Sequence, residues 1–396
     1  MQSQRVTVFD TTLRDGEQAA GVFFSKHAKV EIAELLDAMK VDVIEAGFPI
    51  SSPGERASVV AVAAQVRHAC VCALARAVPD EVDATWSAIA RARNPRIHVF
   101  LSSSEIHLAH QLRRGADEVV AMARAAVARA RAHVANVEFS CMDATRSDPE
   151  FVARVVRAAL AAGASTINLP DTVGCARPDQ VAEMFRGLYA RVPELCGAVA
   201  SFHGQDDLGM ATANSLAAIA AGARQVELAV NGLGERAGNT AFEEVVMALR
   251  LHGAALGVHT GVDTRGIWRV SQAVARHSGI AVPANKAIVG GNAFRHASGI
   301  HQDGVLKRRD TYEAIDPAEI GHPTGSEIVL GKLSGRHGFA ARVRALGIEL
   351  DGVALDRAFA RFQRVADQRG GVGERELVAL CRERDEVAPG APAVPA

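Results

Sequence analysis

The sequence predicts an α/β fold, a (β/α)8 TIM barrel followed by a loop-rich, mainly helical C-terminal subdomain. Three observations predict it. Short β-branched runs alternate with Ala- and Arg-rich helical segments eight times within about 250 residues, the count of such a barrel. Unusual polar residues fall where those runs end. The regularity then breaks down after about residue 260. A doubly wound open sheet shares the alternation, but eight strand–helix pairs favour closure.

The elements follow in order. The first strand is Val6 to Phe9, then a helix from about Ser25 to Met39, with Val30, Ala33 and Leu36 on one apolar stripe and Ser25 as N-cap. The next strands are Val41 to Ala46, Cys70 to Ala75, Ile97 to Leu101, Val137 to Ser140, Thr166 to Leu169, Val199 to Phe202 and Gln225 to Val230. Helices are expected near 53–65, 79–92, 116–133, 149–162, 178–190, 211–221 and 241–251. Several open with Pro in the first turn, where its missing N–H costs nothing. Residues 285–340 are rich in Gly, His and charge and read as loop; 341–385 read as two or three helices. The expected organisation is a catalytic barrel over 1–260, a linker or lid subdomain over 261–385, and a disordered Pro/Ala tail over 386–396.

Composition narrows the function classes. The chain has 396 residues and a formal charge of −1, with 48% hydrophobic and 22% charged residues, an ordinary globular balance. That balance leaves no basic footprint for nucleic acid. No run of eighteen apolar residues suggests a membrane span, and the first residues enter a strand at once without a leader. Six scattered cysteines read as reduced thiols, so the expected location is the cytoplasm.

Chemistry in a barrel sits at the strand C-termini. Strand one ends in FDTTLRDGEQ, with Asp10, Arg14, Asp15 and Gln18; strand two ends at Glu45, in the otherwise apolar VDVIEAG. Strand three ends at Arg76, and His98 lies within strand four. Ser140 and Asp143 follow strand five, Asn168, Asp171 and Thr172 strand six, His203 to Asp207 strand seven. Strand eight runs into NGLGERAGN, with Asn231, Glu235, Arg236 and Asn239. Singly, each reads as a satisfied core polar or a helix cap. Together, carboxylates, an imidazole and amides suggest a divalent Zn, Mn or Mg ion, and an arginine beside it suits an α-keto acid. NGLGERAGN lacks dinucleotide-binding glycine spacing.

The motifs FDTTLRDGEQ, VDVIEAGFPISSPGE, RIHVFLSSSEIHL, TINLPDTVG, DLGMATANSLAA, ARQVELAVNGLGERAGNTAFEEVVMAL, PANKAIVGGNAF and SGIHQDGVLK resemble the 2-isopropylmalate synthase family. That family belongs to the DRE-TIM metallolyase superfamily, with homocitrate and citramalate synthases as relatives, and the match runs from about residue 5 to 380. The resemblance implies a Claisen-type condensation of acetyl-CoA with an α-keto acid, 2-ketoisovalerate first, then thioester hydrolysis. It implies Asp15, His203 and Asn239 as metal ligands, Arg14 polarising the keto oxygen and Glu45 bracing Arg14. His98, Ser140, Asn168 and Thr172 match positions lining the keto-acid pocket. His301 and Tyr312 match groups beyond the barrel that serve enolisation. It also implies a homodimer, and no leucine-binding regulatory domain is expected after residue 385.

Two positions depart from the family pattern. Gln205 stands where a second imidazole is expected after His203; its carbonyl oxygen can ligate, but as a weaker, harder donor, favouring Mg or Mn over Zn. Asp206 is a possible substitute ligand. Met142 stands where a Glu is expected to orient His301. Three readings follow: a synthase with a rearranged site, a paralogue acting on another keto acid in the manner of homocitrate or citramalate synthase, or a catalytically weak scaffold. The basic run Lys307–Arg309 suits CoA phosphates, His296 and His337 are further candidates for the acyl-CoA, and Cys141 and Cys175 are expected to be inert.

Overall fold

Strands in a parallel barrel are covered on both faces, so they read as near-continuous apolar runs. The polar interruptions in those runs locate the interior. The computed structural model describes residues 3–383. In it, eight parallel strands close a barrel in sequence order. They are β1 (Thr7–Asp10), β2 (Val43–Glu45), β3 (Cys70–Arg76), β4 (Pro95–Ser102), β5 (Val137–Met142), β6 (Thr166–Asp171), β7 (Val199–Gly204) and β8 (Gln225–Leu228). Closure is made by β1 on β8, with Thr7 opposite Gln225 and Asp10 opposite Leu228.

The outer helices are α1 (Lys26–Ala38), α2 (Pro53–Gln65), α3 (Pro79–Ile89), α4 (Ala116–His133), α5 (Pro149–Ala161), α6 (Pro178–Arg191), α7 (Ala211–Ala220) and α8 (Phe242–Leu256). Their starts are chemically marked. Ser25 Oγ accepts from the Ala28 N–H at 3.1 Å, and Ser52 Oγ from the Glu55 N–H at 3.0 Å. Asp148 accepts from the Phe151 N–H at 2.8 Å, with Pro149 in the first turn. Each such cap contributes about 1 kcal/mol.

Three boundaries differ from the sequence reading. Strand β8 stops at Leu228, because Asn231 takes a left-handed φ of 61° and turns the chain into a short 3-10 segment. The first compact unit runs to Pro283, not to about 260. Helix α9 (Ile267–Ser278) adds itself to that unit, packing against α1. The motif SGIHQDGVLK, read as loop, forms helix α10 (Gly299–Lys307). Its glycines are offset by the buried Gln302, whose Nε2 donates to the His296 and Val329 carbonyls at 2.9 Å each.

The second compact unit comprises Ala284–Lys286 and the chain from Gly290 on. Within it, Arg295–His296 pairs with Glu327–Ile328. Helices α11 (Arg336–Ala345), α12 (Gly352–Arg369) and α13 (Glu374–Arg382) bury Phe339, Val343, Ala358, Phe362, Ala366 and Leu377 as a core of their own. These are the helices expected over 341–385. The tail expected to be disordered lies outside the described residues.

Candidate active site at the barrel mouth

The polar interruptions converge. A cavity of about 230 Å³ opens among the strand C-termini, with Arg14, Asp15, His98, Ser140, Asn168, Thr172, His203 and Gln205 on its wall. Phe48, Leu74, Phe100, Met142 and Pro170 supply an apolar side. A second cleft shares Arg14, Gln18 and Phe48 with it and is lined further by Phe23, Ser51 and Ser52.

Arg14 and Glu45 anchor one end. Arg14 Nε donates to Glu45 Oε2 at 2.6 Å, and Nη1 to Asp15 Oδ2 at 2.7 Å. Glu45 is fully buried and also accepts from Thr11 Oγ1 at 2.7 Å. Burial works against its ionisation, but Arg14 and the His98 hydrogen bond outweigh it and hold the carboxyl well below the usual range. Burial likewise opposes charging Arg14, and Glu45 and Asp15 reverse that, so the guanidinium stays cationic.

A hydrogen-bond chain then crosses the barrel. His98 Nδ1 meets Glu45 Oε1 at 2.8 Å, and Nε2 meets Ser140 Oγ at 2.7 Å. Asn168 Nδ2 donates to Ser140 Oγ at 2.8 Å, and Asn168 Oδ1 is buried with no protein partner. A buried acceptor of that kind suits a hydroxyl or water brought in with a ligand. Thr172 Oγ1 accepts from the Asp143 N–H at 2.8 Å, so this residue contributes its edge to the wall while bracing the β5 loop.

Asp15, His203, Gln205 and Asn239 form a separate cluster. Asp15 Oδ2 lies 3.8 Å from His203 Nε2. The inward-facing amide atom of Gln205 lies 3.4 Å from each Asp15 oxygen and 3.2 Å from His203 Nε2. Asn239 Nδ2 donates to Asp15 Oδ1 at 3.0 Å and to the Leu233 carbonyl at 2.9 Å. Burial raises the Asp15 pKa, but Arg14, His203 and the Asn239 hydrogen bond bring it below the ordinary value, so it is an anion. One carboxylate, one imidazole and two amides at these separations fit a divalent cation; neighbouring ligands at about 2.1 Å bond length and right angles stand about 3.0 Å apart.

His203 is oriented by a residue that the sequence reading passed over. Its Nδ1 lies 2.8 Å from Glu227 Oε2, the arrangement in which a carboxylate fixes a ligating imidazole. Glu227 and Glu138 sit deep in the barrel. Both obey a signal that was available, an acid inside an apolar strand like Glu45 in β2. Two other groupings, Glu45–Cys72–His98 and His98–Glu138–Glu227, also have ligand-type atoms close together. Both His98 nitrogens are engaged, as above, so these belong to the hydrogen-bond network and not to a second ion site.

Several sequence candidates lie elsewhere. Asp206 Oδ1 accepts from the Ala211 N–H at 2.9 Å and so caps α7 rather than substituting as a ligand. Asp143 turns away to Arg146 at 2.8 Å and His107 at 3.4 Å. Arg76 pairs with Glu81 on the surface. In the second unit, His301 stacks on Tyr312 with ring centroids 4.0 Å apart, and the buried His296 holds Glu313 at 2.8 Å. The basic run there is internally neutralised: Lys307 pairs with Asp303, Arg308 with Asp310 and Arg309 with Glu313. Burial pushes the Cys141 thiol up to about 12, which leaves it inert.

Asp10 yields a stability test. It is fully buried, and burial raises its carboxyl to about 7 against the hydrogen bonds from Thr12. Unfolded, it titrates near 3.8. Its proton therefore stabilises the fold fully below pH 3.8, and that contribution is lost as pH rises through 7. Asp10→Asn should flatten the slope of unfolding free energy between pH 5 and 8, by on the order of 2 kcal/mol. Urea unfolding of chelator-treated protein at several pH values checks this, and an unchanged slope contradicts it.

Comparisons with known proteins bear on the family and the fold. Residues 5–274 match the HMGL-like family model, and 288–370 match the homocitrate synthase post-HMGL domain-like model. The chain is 50% identical over 380 residues to a protein of Syntrophus aciditrophicus named 2-isopropylmalate synthase, covering 96% of this chain and 73% of that one. A Pyrococcus furiosus protein of the same name is 49% identical over 381 residues, with coverage of 96% and 76%. The Bacillus subtilis HMG-CoA lyase crystal structure superimposes with a TM-score of 0.60 at 22% identity, over 72% of this chain and 98% of that one. At that identity the superposition speaks for the fold alone.

Proposed function

The chain belongs to the 2-isopropylmalate synthase family of HMGL-like proteins, and on that premise we propose that it condenses acetyl-CoA with 2-ketoisovalerate to give 2-isopropylmalate and free CoA. The observation that carries this reading is the cavity. Arg14 and a cation-ready donor set line it together with apolar side chains suited to a branched alkyl group. Relatives bearing the synthase name support the same substrates and a place in leucine biosynthesis.

The residues take roles from their positions. Asp15, His203, Gln205 and Asn239 would hold a divalent cation, Zn, Mn or Mg. When bound, that cation supplies Lewis-acid polarisation of the keto carbonyl. Arg14 keeps its charge and places it where the carbonyl oxygen becomes negative as the new carbon–carbon bond forms. Glu45 holds Arg14 to that position. Ser140, Asn168, His98 and Thr172 orient the keto acid, and Met142 with Phe100 and Leu74 packs against its alkyl group. A base takes a proton from the acetyl methyl, the role that the family resemblance gives to His301; the thioester product is then hydrolysed by water, and CoA leaves as the thiol.

The reading carries a homodimer working in the cytoplasm. No helix among the described residues is long and apolar enough to cross a membrane.

The test is release of free thiol from acetyl-CoA by the purified full chain, with each of Mg, Mn and Zn. Thiol should appear with 2-ketoisovalerate and match the 2-isopropylmalate formed. Pyruvate should be slower by about 10–200-fold in kcat/KM, the discrimination that a few methyl groups allow. No thiol release with 2-ketoisovalerate, or faster release with 2-oxoglutarate or oxaloacetate, overturns the assignment.

A further inference from the structure

We infer that Gln205 binds the divalent cation through its side-chain oxygen, held in that orientation by two backbone carbonyls, and that this makes the site select Mn or Mg over Zn. The inference rests on the synthase reading above and adds to it the identity of the donor atom and the preference it creates.

The outer end of the Gln205 amide faces the Gly238 carbonyl oxygen at 2.8 Å and the Glu235 carbonyl oxygen at 3.2 Å. An amide oxygen placed there would confront two other oxygens with no proton between them. Only the nitrogen satisfies that end, donating to both carbonyls. The side-chain oxygen then points inward, 3.2 Å from His203 Nε2 and 3.0 Å from Asn239 Oδ1.

The neighbours cannot turn to relieve this. The Asn239 nitrogen is committed to the Leu233 carbonyl and Asp15, as described, so its oxygen must face inward too. Three oxygen-bearing side chains and one imidazole nitrogen therefore point at one another. A proton on His203 Nε2 would satisfy its contact with Gln205 but not the Gln205–Asn239 oxygen pair. A cation among them satisfies all four.

The clamp is built rigidly. Gln205 and Asn239 pair through their backbones in an isolated antiparallel bridge. The Asp206 N–H donates to the same Gly238 carbonyl at 2.9 Å, and the Thr240 N–H to the Gly204 carbonyl at 2.9 Å. Gly238 has a φ of 109°, and a Cβ there would lie 2.1 Å from the Gly232 oxygen. The position accepts only glycine, which keeps the clamping carbonyl in place.

Selectivity follows from the donor atoms. Zn favours imidazole and thiolate, whereas carboxylate and carbonyl oxygens suit Mg and Mn. A set with one imidazole and three oxygen-donating side chains is harder than one with two imidazoles.

The experiment measures metal binding on the chelator-stripped full chain, by calorimetric titration with Mn and with Zn and by pulsed electron paramagnetic resonance of bound Mn. Wild type should show one coupled imidazole nitrogen. Gln205→Leu should weaken Mn binding about tenfold or more with that nitrogen signal unchanged. Gln205→His should add a second nitrogen and move the Zn-to-Mn affinity ratio towards Zn by about tenfold or more. Thermal unfolding with circular dichroism confirms that each variant is folded. If Asp15→Asn loses the ion while Gln205→Leu binds Mn as wild type does, this inference falls and the synthase site stands. If wild type binds neither ion, or Asp15→Asn binds both unchanged, the site reading falls with it.

Discussion

Arg14→Ala should lower kcat/KM with 2-ketoisovalerate by about 10²–10³-fold, the scale on which enzymes lose rate when a preorganised donor to a developing oxyanion is removed. It should also cost about 3–5 kcal/mol of stability, because Glu45 would be left charged and buried without its partner. Both effects arise from one geometry. The guanidinium spends Nε on Glu45 and Nη1 on Asp15, so its remaining N–H groups are aimed by two fixed carboxylates. Arg14→Lys separates the contributions. A lysine restores the charge beside Glu45 but cannot span both carboxylates, so stability should recover more fully than turnover. Steady-state kinetics and urea unfolding on the two variants check this. Unchanged kcat/KM in Arg14→Ala would remove Arg14 from the chemistry.

Glu227→Gln should weaken divalent-metal binding by about 10–100-fold while leaving the barrel folded. Among the described residues, Glu227 reaches the donor cluster through its hydrogen bond to His203 Nδ1. A glutamine can still accept that hydrogen bond with its oxygen, so the imidazole keeps its place. What is lost is the negative charge that makes the far nitrogen a stronger donor. The loss should therefore appear as affinity in a titration, and the Mn-bound variant should retain the imidazole signal. Wild-type affinity in Glu227→Gln would show that His203 is held by packing alone.

The barrel was legible because its eight apolar runs and their Pro-marked helices repeat, and because carboxylates inside such runs are conspicuous. Glu45 declares itself in this way; Arg14, Asp15, His203 and Asn239 stand at or just beyond strand ends, with roles implied by the family resemblance, and the structure brings all five to one mouth. Glu227 carries the same signal, but its role depends on facing His203 across the β7–β8 pair, a register that residue type alone does not reveal. The orientation of Gln205 was not legible at all. It depends on carbonyls at positions 235 and 238, some thirty residues on, and carbonyls leave no trace in residue type. Helix α10 was hidden by its glycines; the buried Gln302 that holds it bonds to His296 and Val329, contacts that local pattern does not reveal. Asp206 and Arg76 were conspicuous residues with ordinary employment as a helix cap and a surface pair.

The chain from Arg14 through Glu45, His98 and Ser140 to Asn168 joins the loop after β1 to four strands of the barrel, and Met142, Leu74, Phe100 and Pro170 lie on the same cavity without joining it. The mouth is thus divided into a part where each side chain depends on the next and a part where each can be exchanged alone. A designer seeking a different alkyl group on the keto acid has four positions to randomise at little risk to the machinery.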